Sequence, residues 1–241
     1  MNRSLNRRVA AMCGVALVLT ACGGGGGDES AGQAEGFWVG STSTGYTAQV
    51  AILEDGQAWG LYTTGSTIIG ALAGTASASG GSISGSGSDY YFPGGTATPG
   101  SFSGTFTPRG TMTITTGSGA RFTGTYSGVY DTPASLTAAA GAYAGAGVIP
   151  GFASYATNVT VDANGVATAT SVACSGSGTA APRGSGKNVF NITLTFTGAS
   201  CPLTNAGAIS GIAYYDAATS SLIAMGRNGS KSTGFFWAGV K

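Results

Sequence analysis

Apolar and polar residues alternate one by one along several stretches of the chain, most clearly over residues 188–197. The large apolar side chains at even positions would face one way, and the asparagine and threonine residues between them would face the other. This period of two is typical of a half-buried β-strand. Residues 111–115 and 121–130 repeat the pattern. It predicts that strands make up most of the chain from residue 37 to residue 241.

Two short polar segments carry residues that reverse a chain between antiparallel strands. They are Glu54-Asp55-Gly56 and Asp162-Ala163-Asn164-Gly165. Acidic, asparagine and glycine residues in such short runs are typical of β-hairpin turns. The second segment also resembles part of a calcium loop, but it lacks the later acidic ligands that such a loop requires. Both segments therefore predict hairpins.

Residues 133–141 interrupt the strand pattern near the middle of the body. A proline near the start, a run of alanine and a closing glycine are typical of one or two turns of helix. We interpret the segment as a joint between two halves. The halves open with Phe37-Trp38-Val39-Gly40 and Ala142-Tyr143-Ala144-Gly145, and residues 104–110 match residues 178–184 at Gly, Thr, Pro, Arg and Gly.

The sequence therefore predicts an all-β protein with two tandem halves, residues 37–132 and residues 142–241. Each half has the length of a small antiparallel β-barrel or sandwich, and closing a sheet removes its exposed edges. One larger barrel or sandwich of about sixteen strands is the alternative. A transmembrane barrel is disfavoured, because many runs are shorter than the roughly ten residues of a spanning strand.

The first 21 residues have the pattern of a secretory signal peptide. Three arginines precede an apolar stretch, residues 9–20, that is too short to span a bilayer as a mature helix. The stretch closes on Leu19-Thr20-Ala21-Cys22, which resembles the lipobox of bacterial lipoproteins. That resemblance implies cleavage before Cys22 and a diacylglycerol on its thiol. An ordinary cleaved signal peptide is the alternative.

Residues 22–36 join this signal to the body. They are rich in glycine and have almost nothing to bury, which predicts a flexible tether. Gly23 stands where lipoproteins retained in the inner membrane carry Asp, so the resemblance implies the outer membrane of a Gram-negative bacterium. A cysteine followed by a glycine run is also similar to the start of surface lipoproteins of the transferrin-binding protein B and factor H-binding protein type. The periplasmic face and the extracellular face both stay open.

Charge and cysteine content narrow the partners. Ten Lys and Arg stand against nine Asp and Glu, and three of the arginines belong to the signal peptide. Without a basic cluster, nucleic acid is not expected as a partner. Cys174 and Cys201 remain as an even pair in an oxidising compartment, which predicts a disulfide. No metal site is predicted, because the chain has no histidine to complete two thiol ligands.

The sequence carries no recognisable catalytic or cofactor motif. It has no histidine, no Gly-x-Ser-x-Gly elbow and no phosphate-binding glycine loop. Five of the acids lie in the predicted tether or at predicted turns. We therefore predict that the protein is not an enzyme and uses no cofactor. Trp38, Trp59 and Trp237 could line a pocket, although in a small barrel such residues more often form the core.

Tyr90, Tyr91 and Phe92 form the candidate contact patch. Three adjacent aromatic residues cannot all face inward on a strand, and a proline and glycine loop follows them. An exposed aromatic patch favours a binding surface. A bulged strand end with one aromatic residue outside is the alternative.

The functional prediction is a lipoprotein anchored in the outer membrane that acts as a non-enzymatic binding or interaction module. Its lipid would anchor it in the membrane, and its ligand would be a protein or host molecule of unknown identity. The alternatives are a structural or assembly factor that faces the periplasm and a barrel that holds a small apolar ligand.

Overall fold

The computed structural model describes residues 32–95 and 97–241. The predicted signal peptide and Cys22 lie outside the described residues. Sixteen strands form two closed antiparallel barrels of eight strands each. The predicted all-β class with two tandem barrels is confirmed, and one larger barrel is not formed. Within the described ranges, no helix is long and apolar enough to cross a membrane.

The first barrel is a meander in which each strand pairs with the next and the last pairs with the first. Its strands are β1 (Gly36–Thr42), β2 (Thr47–Ile52), β3 (Gln57–Thr64), β4 (Thr67–Ser79), β5 (Ser82–Tyr91), β6 (Ala97–Phe106), β7 (Thr111–Thr116) and β8 (Arg121–Ser127). A 3-10 turn, Phe92–Gly94, follows β5. A second 3-10 turn, Gly128–Asp131, leads out of the barrel.

The second barrel has the same topology. Its strands are β9 (Gly141–Val148), β10 (Tyr155–Val161), β11 (Val166–Thr170), β12 (Ser175–Pro182), β13 (Phe190–Thr197), β14 (Ile209–Asp216), β15 (Ser221–Asn228) and β16 (Gly234–Val240). One helix of four residues, α1 (Leu136–Ala139), connects the barrels. The side chain of Ser135 caps it by accepting a hydrogen bond from the backbone N–H of Ala138.

Strands with one face toward solvent keep the alternation that the sequence shows. In β13 the even positions are buried and the odd positions are exposed without exception. The outward positions of this part of the barrel carry mainly hydroxyl side chains, and those of Thr160 and Thr168 on neighbouring strands lie 2.6 Å apart. This surface is therefore polar but almost uncharged.

Side chains fill both barrel interiors. Trp38 in the first barrel and Trp237 in the second are fully buried. An apolar cavity inside the second barrel measures about 30 Å³ and is lined largely by alanine and branched aliphatic residues. Such a volume has room for about one or two water molecules.

Paired glycines let each barrel close. Gly40 of β1 faces Gly124 of β8, and a Cβ at Gly40 would overlap the carbonyl oxygen of Thr123. Gly145 of β9 and Gly239 of β16 face each other in the same way. The first and last strands of each barrel can pair because these residues carry no side chain.

The two barrels also repeat each other in detail. Gly56 and Gly165 each turn the chain between the second and third strands with φ near +80°. The carbonyl of each accepts a 2.7 Å hydrogen bond from an alanine of the fourth strand. Gly-Thr-Ala at residues 74–76 therefore corresponds to Gly-Thr-Ala at 178–180. The sequence-based match of residues 104–110 to the second half is wrong, because they begin in the sixth strand of the first barrel.

The predicted disulfide is confirmed. Cys174 and Cys201 are bonded, with their Cα atoms 4.8 Å apart, and both are buried. The bond ties the start of β12 to the loop after β13 across 27 positions. In the chain-entropy description, a loop of this length stabilises the fold by about 3–4 kcal/mol.

A third apolar core joins the barrels through their outward faces. Its members include Phe37, Trp59, Leu61, Tyr90 and Phe92 from the first barrel and Ile212, Tyr214, Ile223, Met225 and Phe236 from the second. Strands at this junction lose the alternation of the free strands. In β3, for example, residues 58–62 are all buried. The second barrel thus covers a face that would otherwise be a large exposed apolar patch.

Candidate functional site

The candidate patch divides between the junction and the surface. Tyr90 is fully buried and Phe92 is 6% exposed, and their rings lie 5.3 and 5.7 Å from that of Phe236. The hydroxyl of Tyr90 donates to the carbonyl of Lys231 at 2.8 Å. The three residues therefore do not form an exposed patch, since the second barrel covers two of them, and the alternative of one aromatic residue outside is what the structure has. Tyr91, at 42% exposed, is the one that faces solvent.

Tyr91 shares a face of β5 with Asp89, because residues two apart on a strand point the same way. The same face carries Ile83, which belongs to the core of the first barrel. Asp89 is half-buried, and its Oδ1 accepts a hydrogen bond of 2.7 Å from the hydroxyl of Tyr62. A carboxylate therefore lies at an inward position of the first barrel.

Two features of the backbone allow Tyr62 to reach this carboxylate. Its hydroxyl lies where a Cβ at Gly70 of β4 would stand, so glycine is required at that position. The pairing of β3 with β4 also shifts register between Tyr62 and Thr63. Such a bulge changes the direction of the neighbouring side chains and is common beside functional sites.

Tyr46 completes a cluster at one end of the first barrel. It directly precedes β2, and its ring centroid lies 5.5 Å from that of Tyr62. The turns after β1, β3 and β5 all lie at this end of an up-and-down barrel. We call Tyr46, Tyr62, Asp89 and Tyr91 the tyrosine mouth.

The electrostatics of the tyrosine mouth depend on burial. Burial raises the pKa of the Asp89 carboxyl above its ordinary value, and the hydrogen bond from Tyr62 offsets part of the rise. Burial and the bond to Asp89 also raise the pKa of Tyr62, so this hydroxyl remains a donor at neutral pH. Among the described residues, no Lys or Arg lies within 4.0 Å of the Asp89 carboxylate.

A second pair of tyrosine and aspartate makes the same contact with different neighbours. The hydroxyl of Tyr126 donates to Asp131 at 2.9 Å. Arg109 and Lys187 approach the same carboxylate at 2.7 and 3.0 Å. Burial alone would raise the pKa of Asp131, but the hydrogen bonds and charges of these partners lower it. This carboxylate is thus balanced by the chain's own cations.

The largest group of charges lies where the barrels meet. Arg183 of the second barrel forms ion pairs of 2.5 Å with Glu54 and 2.6 Å with Asp55 of the first. Lys187 lies 3.9 Å from Glu35 and 3.0 Å from Asp131. These contacts cross the junction, and we assign them to holding the barrels together.

Two buried polar atoms beside these ion pairs have no hydrogen-bond partner among the described residues. They are Oε2 of Glu54 and the hydroxyl of Tyr130. The ammonium of Lys187 lies 5.5 Å from the centroid of the Tyr130 ring. Burial raises the pKa of Glu35 and the charge of Lys187 opposes the rise. Within the described part of the chain, no group of three or more His, Cys, Asp or Glu has the arrangement of a metal site.

Two other candidate residues, Asp162 and Trp59, stabilise the fold. Asp162 accepts hydrogen bonds from the backbone N–H of Asn164 and of Val166 in its turn, as a hairpin aspartate does. Trp59 lies in the junction under the guanidinium of Arg227, at 5.5 Å. Cys22, the lipidation candidate, lies outside the described residues.

Sequence reasoning identified Tyr91 but missed its three partners. Asp89 could have been found, because it has the same parity as the inward Ile83 in an otherwise small-residue strand. Tyr46 and Tyr62 carry no such signal, since only the pairing of strands brings them to Asp89.

Comparisons with known proteins give this site no precedent. No family model, no curated protein and no solved structure matches the chain.

Proposed function

We propose that the chain is a lipoprotein of the outer membrane that acts as a non-enzymatic binding module. The lipid on Cys22 provides the anchor, the glycine-rich segment separates it from the body, and the tyrosine mouth provides the binding site. Each buried methylene of an acyl chain contributes about 0.8 kcal/mol, so a diacylated cysteine anchors the protein without any help from the barrels.

One observation carries the binding part of this proposal. Asp89 is a half-buried carboxylate that has a tyrosine hydroxyl as its hydrogen-bond donor and no basic side chain nearby among the described residues. Burying a charge without a counter-charge is costly. Groups kept at such a cost concentrate at functional sites.

The small cavity inside the second barrel favours binding at the tyrosine mouth over binding of an apolar ligand inside the barrel. The cavity of about 30 Å³ inside the second barrel is far below the few hundred Å³ of a typical ligand pocket. Ligands are therefore expected at the surface of the body.

Labelling of cells with radioactive palmitate tests the anchor. We expect label in the wild-type protein and in Cys13→Ser, and none in Cys22→Ser. Cys13→Ser is the matched control because it removes the other N-terminal thiol. Equal labelling of Cys22→Ser, or no label in the wild type, would contradict the anchor.

Protease treatment of intact cells, with an epitope after Lys241, decides which face of the membrane carries the body. Loss of the epitope while a periplasmic protein survives indicates the cell surface. Protection that ends when the outer membrane is opened indicates the periplasm and directs the search for partners to the envelope.

A further inference from the structure

We propose that the tyrosine mouth binds a small organic ammonium ion, with the carboxylate of Asp89 as its counter-charge and the rings of Tyr46, Tyr62 and Tyr91 around it. This inference rests on the proposed function and names the ligand class of that site.

The other carboxylates of the described residues all have partners that balance or fix them. Glu54 and Asp55 pair with Arg183, and Glu35 and Asp131 with Lys187. Asp162 and Asp216 accept backbone N–H groups in turns. Asp89 differs, because it lies within a strand and receives a hydroxyl rather than a cation or a backbone N–H.

A cation of the chain itself contacts the second hydrogen-bonded pair of tyrosine and aspartate. At Tyr126 and Asp131, the guanidinium of Arg109 lies 5.4 Å from the ring centroid and 2.7 Å from the carboxylate. The ring, the carboxylate and the cation form one contact set. The tyrosine mouth has the same pair, with a hydrogen bond of 2.7 Å from Tyr62 to Asp89 against 2.9 Å from Tyr126 to Asp131, so a cation from a ligand would complete the same set.

One tyrosine bonded to the carboxylate, a second packed on the first and a third two residues along β5 favour an alkylammonium over a metal ion or a neutral ligand. Ammonium groups are attracted to aromatic faces within about 6 Å of the centroid, and rings that surround quaternary ammonium groups are a recurring binding arrangement. The ring centroids of Tyr46 and Tyr62 are 5.5 Å apart, so the two rings pack on each other and form one aromatic surface. A metal ion would need more oxygen ligands than one carboxylate and tyrosine hydroxyls supply.

The size of the ligand follows from exposure. Tyr62 is only 8% exposed and Asp89 is half-buried, whereas Tyr91 is 42% exposed. A compact head group can reach the carboxylate past Tyr91. Choline and ethanolamine are the simplest probes, and the same chemistry occurs in free amines and in phospholipid head groups.

Saturation-transfer NMR on the full-length mature protein in a neutral detergent tests the proposal. We expect choline to receive saturation from the protein, and the uncharged isostere 3,3-dimethylbutan-1-ol to receive at least about tenfold less. The trimethylammonium of choline has no N–H, so its attraction to Asp89 is purely that of opposite charges, and Asp89→Asn should weaken choline binding roughly tenfold or more. Asp131→Asn is the matched control and should bind choline like the wild type.

Several results would overturn the proposal. These are equal binding of the isostere, unchanged choline binding by Asp89→Asn when circular dichroism shows it folded, or no saturation of choline, ethanolamine or glycerophosphoethanolamine with the wild type. Saturation of the soluble head group glycerophosphoethanolamine but not of free ethanolamine would assign the head group as the source, and the reverse would assign the free amine. Because palmitate labelling does not depend on the ligand, failure here and failure of the anchor are distinguishable.

Discussion

Phe37 of the first barrel stacks on Tyr214 of the second, with ring centroids 4.2 Å apart. Tyr214 continues the contact by donating from its hydroxyl to the side chain of Gln49. Both aromatic residues belong to the third core, which neither barrel could bury alone. The two barrels are therefore expected to unfold together rather than one after the other.

The third apolar core predicts that alanine substitutions at two neighbouring residues lower the free energy of unfolding by very different amounts. Phe92→Ala should lower the free energy of unfolding by about 3 kcal/mol, because it removes a buried ring from the junction. Tyr91→Ala should cost less than about 1 kcal/mol, because its ring is 42% exposed. Urea unfolding followed by tryptophan fluorescence and circular dichroism measures both. Equal costs, or two separate transitions in the wild type, would contradict the shared core.

The ion pairs across the junction predict a smaller effect. Arg183→Met should cost about 1–3 kcal/mol, since its side chain is 11% exposed and pairs with two carboxylates that are themselves partly exposed. Arg109→Met is the matched control, because Arg109 is 64% exposed, and should cost less than about 1 kcal/mol. Denaturant unfolding at low and at high salt checks this, and an Arg183 variant as stable as wild type would show that the pairs do not hold the barrels.

Closure of the first barrel depends on glycine at position 40, where β1 pairs with β8. Gly40→Ala should cost about 3 kcal/mol or more, because the new Cβ would overlap the backbone of β8. Gly100→Ala in β6 meets no atom within 4 Å and should be nearly neutral. Thermal unfolding of the two variants compares them directly. If the two midpoints fell equally, glycine would matter here for its backbone freedom and not for strand contact.

Asp89 predicts an unusual dependence of stability on pH. Its folded-state pKa is raised, so the folded state holds the proton more strongly than the unfolded chain does. The stability it contributes is therefore present below its unfolded pKa, near 3.8, and is lost as the pH rises through the folded value. Asp89→Asn should be more stable than wild type at pH 7, and the difference should shrink toward about pH 4.

Asp131→Asn supplies the control of opposite sign. The pKa of Asp131 is lowered, so its ionised form stabilises the fold above its unfolded pKa. This variant should be less stable than the wild type at pH 7. Urea unfolding at both pH values measures the two variants. A loss of stability in Asp89→Asn at pH 7 would make Asp89 a structural residue rather than a ligand group.

Most of the fold could be predicted from the sequence because its signals are local. Alternation such as that of β13 and turns such as that at Asp162 depend only on neighbouring residues. The equivalence of the barrels could be assigned only in part. Residues 178–184 match residues 104–110 at five of seven positions and their structural equivalents, residues 74–80, at only four, so strand order was needed to separate the two.

The burial of Tyr90 and Phe92 depends on contacts that no local pattern encodes. Both face Phe236, more than 140 positions away, across a junction between the barrels. Residues 58–62 of β3, Ala-Trp-Gly-Leu-Tyr, contain no polar side chain facing either side of the sheet except the Tyr62 hydroxyl. Such a run indicates a strand buried on both faces, which needs a second layer to pack against. The residues of the tyrosine mouth come together only through three successive strand pairings, β2 with β3, β3 with β4 and β4 with β5.

Asp89 lies half-buried beside the hydroxyl of Tyr62, and we propose that a cationic ligand is its counter-charge. The thermal unfolding midpoint of the full-length mature protein, measured as choline is added, tests this proposal. A ligand that binds only the folded state stabilises it by RT ln(1 + [L]/Kd), or about 2.7 kcal/mol at a hundredfold excess over Kd. We predict a midpoint that rises with choline in the wild type and stays constant in Asp89→Asn. A midpoint that is constant in both, or that rises equally in both, would contradict the claim.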